Sequence, residues 1–118
     1  MSKSKRKGTA WERQVVDYLG FNLEQPAVER RALEGILDRG DVAGIVDWTV
    51  ECKDHNTSLW GPWMDETEKE RQNAGTTFGL LVVKRRLHNV AKAFAVLPLD
   101  QMVELILDHA EVTDHIGG

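Results

Sequence analysis

Hydrophobic and polar positions change their period several times along the chain, and each change marks an element. Trp11, Val15, Tyr18 and Leu19 recur at helical spacing, and Gly20 suits the stop. Thr9-Ala-Trp-Glu12 has capping-box spacing, a hydroxyl at the N-cap and a carboxylate at N3. The first helix is therefore predicted to open at Thr9, after a flexible basic arm over 1–7. After Pro26 a short extended segment runs from Ala27 to Arg31. Gly35, Gly40 and Gly44 then oppose a helix and suit turns. Asp41–Val46 and Trp48–Lys53 read as a hairpin turning near Val46-Asp47. In its second strand Trp48, Val50 and Cys52 face one way, and Thr49, Glu51 and Lys53 the other. A second helix begins at Gly61 or Pro62 and ends at Gly75. Phe78–Lys84 is almost wholly apolar and predicts a buried central strand, followed by a strand over Ala93–Leu97. Asp100 caps a last helix running to about His109, with Met102, Val103, Leu105 and Ile106 expected toward the core. Residues 110–118 are expected to form a loose acidic tail. The order is helix, three strands, helix, two strands, helix, an α/β fold with a mixed central sheet flanked by helices.

Composition narrows the class. A chain of 118 residues supports one core, so 1–118 reads as a single domain. With 42% hydrophobic and 29% charged residues it is too apolar to be disordered. A lone cysteine excludes an internal disulfide framework and a Cys-rich zinc module. No apolar run approaches ~18 residues, and none follows the basic N-terminus. The expectation is no membrane span, no secretory leader and a reducing, cytoplasmic setting. The net charge of −4 is unevenly placed. From Leu99 onward stand five acids (Asp100, Glu104, Asp108, Glu111, Asp114) and no Lys or Arg, so residues 1–98 carry +1. That balance argues against a general nucleic-acid coat but leaves room for a local basic surface.

The strongest chemical feature is Asp41 followed by Glu51-Cys52-Lys53. Period two puts Glu51 and Lys53 side by side on one strand face, and Asp41 reaches the same region from the neighbouring strand. Two converging carboxylates suit a hard divalent ion such as Mg²⁺ or Mn²⁺. A protonated lysine beside them donates to a phosphate oxygen or to an attacking hydroxide. Together they fit metal-assisted phosphodiester hydrolysis. Each residue also has a plainer reading: Glu51 and Lys53 as a solvated surface pair, Asp41 as a turn residue, Glu12 as the capping-box acid.

Gly40-Asp41 followed by Glu51-Cys52-Lys53 resembles the PD-(D/E)XK nuclease signature, with Gly40 where the signature has Pro. KGTAWERQVVDYL, DRGDVAGI, WTVECKD and GLLVVKRR are similar to small phage-encoded, archaeal-type Holliday junction resolvases. The resemblance covers about residues 8–98. It implies a restriction-endonuclease-like αβββαβ core and a catalytic set of Glu12, Asp41, Glu51 and Lys53. It further implies that Asp41, Glu51 and the Cys52 backbone carbonyl hold Mg²⁺, with Mn²⁺ as a substitute. Lys53 would position or activate the attacking water, and Glu12 would bind the metal or its water. The implied activity is a Mg²⁺-dependent, structure-selective DNA endonuclease making paired symmetric nicks at a junction during recombination. Two incisions imply a C2 homodimer. Lys5, Arg6, Lys7, Arg30, Arg31, Arg39, Lys84, Arg85 and Arg86 are the expected contacts to branched or duplex DNA, with salt-dependent binding. The alternatives are another PD-(D/E)XK nuclease acting in nicking, repair or recombination, or a non-catalytic DNA-binding protein on the same fold.

Overall fold

The computed structural model describes residues 3–24, 27–31 and 37–117, with side chains from 8 to 114 within them. The elements are helix α1 (Lys3–Asn22), strands β1 (Glu29–Arg30), β2 (Val42–Ala43) and β3 (Trp48–Lys53), helix α2 (Trp60–Ala74), strands β4 (Phe78–Val83) and β5 (Phe94–Val96), and helix α3 (Leu99–Gly117). One 3₁₀ turn, Val90–Lys92, precedes β5. The strands form one sheet in the order β1-β2-β3-β4-β5. β3 and β4 are parallel, paired from Trp48↔Phe78 to Lys53↔Val83; every other pair is antiparallel. A parallel pair needs a crossover, and α2 supplies it. The architecture is thus α/β with a five-stranded mixed sheet and three helices.

Both faces of the sheet are covered, and the alternation of β3 decides what lies on each. Val50 and Cys52 join Val28, Val42 and Val82 under Trp11, Val15 and Val16 of α1. The Trp11 indole N–H donates to the Val82 carbonyl at 3.4 Å, so its one polar atom is satisfied inside the core. On the other face Trp63 of α2 packs with Leu81 and Val83. Thr49 and Glu51 of β3 point to this second face and are buried. Cys52 is an enclosed small hydrophobe, as its position in the alternation predicted. Gly75 ends α2 in the left-handed conformation at φ 70°, and its N–H closes on the Arg71 and Gln72 carbonyls.

Three expectations need correction. The first helix opens at Lys3 rather than Thr9, because Lys and Arg are good helix formers and Gly8 interrupts without breaking. Thr9 therefore lies inside the helix and makes no capping box with Glu12. The last helix does not stop near His109. No breaker stands between Pro98 and Gly117, and the helix runs through most of the expected acidic tail. Nor are its apolar residues in the core. Met102, Val103, Ile106 and Leu107 are exposed, and Leu105 is half-buried. α3 is instead fastened at its root by Gln101, whose Oε1 accepts the Gly79 N–H and whose Nε2 donates to Glu68, both at 2.7 Å. Gly79 is the second residue of β4, so α3 leaves from the end of the sheet opposite Lys53 and Lys84. The molecule measures 55 × 33 × 30 Å, longer in one direction than a 118-residue sphere. Among the described residues no helix is long and apolar enough to cross a membrane.

Candidate metal centre

The site forms where β2 parts from β3. Their ladder holds at Val42↔Val50, and the Asp41 N–H donates to the Val50 carbonyl at 2.8 Å. Two residues further on, the Cys52 N–H meets no strand. It donates instead to Asp41 Oδ2, at 2.8 Å. Backbone N–H and C=O of one residue leave a strand on the same side. The Cys52 carbonyl therefore faces the Asp41 edge, whereas the Lys53 carbonyl faces β4 and accepts the Lys84 N–H. Gly40, at φ 94°, permits this approach: a Cβ there would lie 2.9 Å from the Val50 oxygen.

Carboxyls accumulate on either side of that gap. Asp41 and Glu51 lie within hydrogen-bond reach of each other, and so do Glu51 and Glu70. Glu12 reaches Asp41 from the α1 face, and Glu70 reaches Glu51 from the α2 face. Glu51 is 4% exposed and Glu70 2%. Burial, aided by neighbouring carboxyls, pushes Asp41 up to about 8, Glu51 to about 9 and Glu70 to about 7. Glu12 is also raised, by burial and then by Asp41, with Arg30 opposing. The Arg30 guanidinium lies 3.2 Å from Glu12 Oε2, so Glu12 engages a cation and the site rather than a helix cap. Burial pulls the Lys53 ammonium down, but its hydrogen bond to Glu66 and the pull of Glu51 outweigh that and hold it above its ordinary value. Lys53 Nζ sits 3.0 Å from Glu66 Oε2.

All four expected catalytic residues thus lie at one end of β3. The structure adds three acids that the spacing did not single out. Asp38, Glu51, Glu66 and Glu70 each offer a carboxylate oxygen, and these oxygens lie within 4.8 Å of one another. Glu70 had a readable signal: it is seven residues after Trp63, on the same buried stripe of α2 as Thr67. A Glu on an apolar stripe needs a partner. Glu66 is one turn earlier. Lys69 and Gln72, the helix residues weighed from sequence, face solvent. Asp47 is exposed and bonds to Thr77, away from the site; that bonding holds its carboxyl below the usual range.

The donor set fits a hard cation. Both Glu70 oxygens are buried, and among the described residues no N–H or hydroxyl reaches them, only the Glu51 carboxyl. Carboxyls enclosed together without a compensating charge stay protonated or take up a cation.

Basic residues surround this end of the sheet. Arg30 is on β1, and the Arg31 N–H donates to the Asp41 carbonyl at 2.8 Å. Arg39 is half-buried beside Gly40. Lys84 and Arg86 converge on Asp54, whose side chain is enclosed, at 3.9 and 2.7 Å. Arg85 lies over the Phe94 ring at 5.3 Å. Asp54, unremarked in the sequence, therefore orders the Lys84–Arg86 cluster next to Lys53. The side chains of Lys5, Arg6 and Lys7 lie outside the described residues. No protein-family model, curated protein or solved structure matches the chain.

Proposed function

We propose that the chain is a metal-dependent DNA endonuclease of the restriction-endonuclease-like fold, acting as a Holliday junction resolvase. The observation that carries the reading is the meeting of Glu12, Asp41 and Glu51 with Lys53 at the end of β3, Glu51 buried, the other three half-buried, and each coupled electrostatically to another of the set. Asp41 and Glu51, with the Cys52 carbonyl on the same edge, would hold Mg²⁺ or Mn²⁺, and Glu12 would hold the ion or its water. A bound divalent ion lowers the pKa of water and stabilises charge on a phosphoryl oxygen. The chain supplies the rest. The Cys52 N–H fixes the Asp41 carboxylate before any ligand arrives. Lys53 stays protonated beside Glu51 and Glu66, and donates to the attacking oxygen or to the phosphate as the P–O bond breaks. Arg30, Arg31 and the Lys84–Arg86 cluster would neutralise neighbouring phosphates. Preference for a four-way junction rests on the sequence resemblance. The exposed apolar stripe of α3 supports a homodimer, which two symmetric incisions require.

The test compares a synthetic four-way junction with linear duplex, flap and single-stranded DNA of matched sequence, in Mg²⁺. Paired symmetric nicks confined to the junction are expected. Asp41→Asn and Lys53→Ala should each lower cleavage by about 10²-fold or more while junction binding persists. Cutting of all substrates alike would make the protein a general nuclease. Tight binding without cutting would make it a non-catalytic binder. Full activity in either variant would displace the assigned site.

A further inference from the structure

We infer that Asp38, Glu51, Glu66 and Glu70 form a second divalent-cation site on the α2 side of β3. It would stand beside the ion expected at Asp41 and share Glu51 with it. The inference rests on the proposed nuclease reading only through that shared residue.

Two independent observations meet here. Four carboxylate oxygens lie within 4.8 Å of one another. Within the group, Glu70 is 2% exposed, and among the described residues no N–H or hydroxyl donor reaches either of its oxygens. A buried carboxylate without a donor is costly, because it loses its hydration and gains nothing in return. The group within hydrogen-bond reach is the Glu51 carboxyl, another acid, so the pair must hold a proton or a cation between them. The remaining members are partly used but not exhausted. Asp38 Oδ1 accepts the Gly40 N–H at 3.0 Å, and Oδ2 is the other oxygen of that carboxylate. Lys53 engages Glu66 at Oε2, which leaves Oε1. Glu51 and Glu70 form an enclosed floor, while Asp38 and Glu66 are exposed and form a mouth open to solvent.

Oxygens within 4.8 Å of one another are close enough to share one divalent ion, with water completing its shell. The residues also come from three separate places: Asp38 before β2, Glu51 on β3, and Glu66 with Glu70 one turn apart on α2. An ion there would tie the crossover helix to the sheet.

Counting ions, rather than activity, tests this. Mn²⁺ alone is titrated into the full-length protein, and free Mn²⁺ is read by electron paramagnetic resonance. Two bound ions per chain are expected. Glu70→Gln should leave one, and Asp41→Asn should leave the other one. Glu66→Gln, at the exposed mouth, should weaken one ion by about tenfold or more without disturbing the fold. It thus guards against misfolding of the buried variant. One ion that survives Glu70→Gln and Glu66→Gln but is lost in Asp41→Asn would overturn the second site and leave the nuclease reading intact. One ion with the reverse sensitivity would support the α2-side site and remove the metal from the proposed catalytic set. No bound ion in the unaltered protein would overturn both.

Discussion

Asp41 takes the Cys52 N–H at 2.8 Å and lies within hydrogen-bond reach of Glu51. Its carboxyl is thus aimed by the main chain rather than by rotamer preference. Spacing made Asp41, Glu51 and Lys53 legible, because period two along a strand has one solution. Glu12 had a competing reading as the acid of a capping box, and that reading vanishes once the helix opens at Lys3. Asp38, Glu66 and Glu70 escaped notice because their grouping depends on how α2 lies over β3, which local pattern does not carry. The raised carboxyls make a pH prediction. Folded-state values of about 8, 9 and 7 for Asp41, Glu51 and Glu70 lie above their ordinary values of 3.8, 4.5 and 4.5. The fold therefore favours the protonated forms. Their contribution is fully present below the unfolded values and is lost as pH rises through about 7 to 9. In EDTA, thermal denaturation should show Tm falling between pH 6 and 9, and saturating Mn²⁺ should flatten or reverse that slope. A metal-free Tm that rises across this range would contradict the buried cluster.

At the scale of elements, the helices and strands followed from periodicity, and β3, α2 and β4 keep nearly the predicted bounds. The errors fall at helix ends and on one helix face. α3 has the stripe of a core helix, yet its apolar residues meet solvent in the single chain. Amphipathicity states that a face wants cover, not whether the cover lies in the same chain. Ile106→Glu should therefore leave fold stability within about 0.5 kcal/mol and convert a dimer to a monomer, as read by sedimentation. A large loss of stability would place the stripe in the fold after all. Short β2 depends on a different device. Gly44, at φ 96°, lies so close to the β1 side that a Cβ would collide with the Ala27 carbonyl. Gly75 also has positive φ but opens onto free space. In urea denaturation Gly75→Ala should cost about 1–2 kcal/mol and Gly44→Ala about 3 or more. Equal costs would mean that the backbone around Gly44 yields.

Across the whole molecule, charge and topology are arranged along one axis. Parallel pairing carries the ends of β3 and β4 to the same side, where Lys53, the Lys84–Arg86 cluster and the carboxyls collect. α3 departs from the opposite end, fastened by Gln101 at Gly79, and carries five acids without a lysine or arginine. Residues 1–98 hold a net charge of +1 against −5 beyond them. The free molecule is consequently an electric dipole with a long lever arm. A polyanion coming within a Debye length, about 8–10 Å at ordinary salt, would exert a torque on it and swing the acidic helix away, turning the molecule before contact. A field of that shape acts on the rate of productive encounter more than on the strength of the final contact.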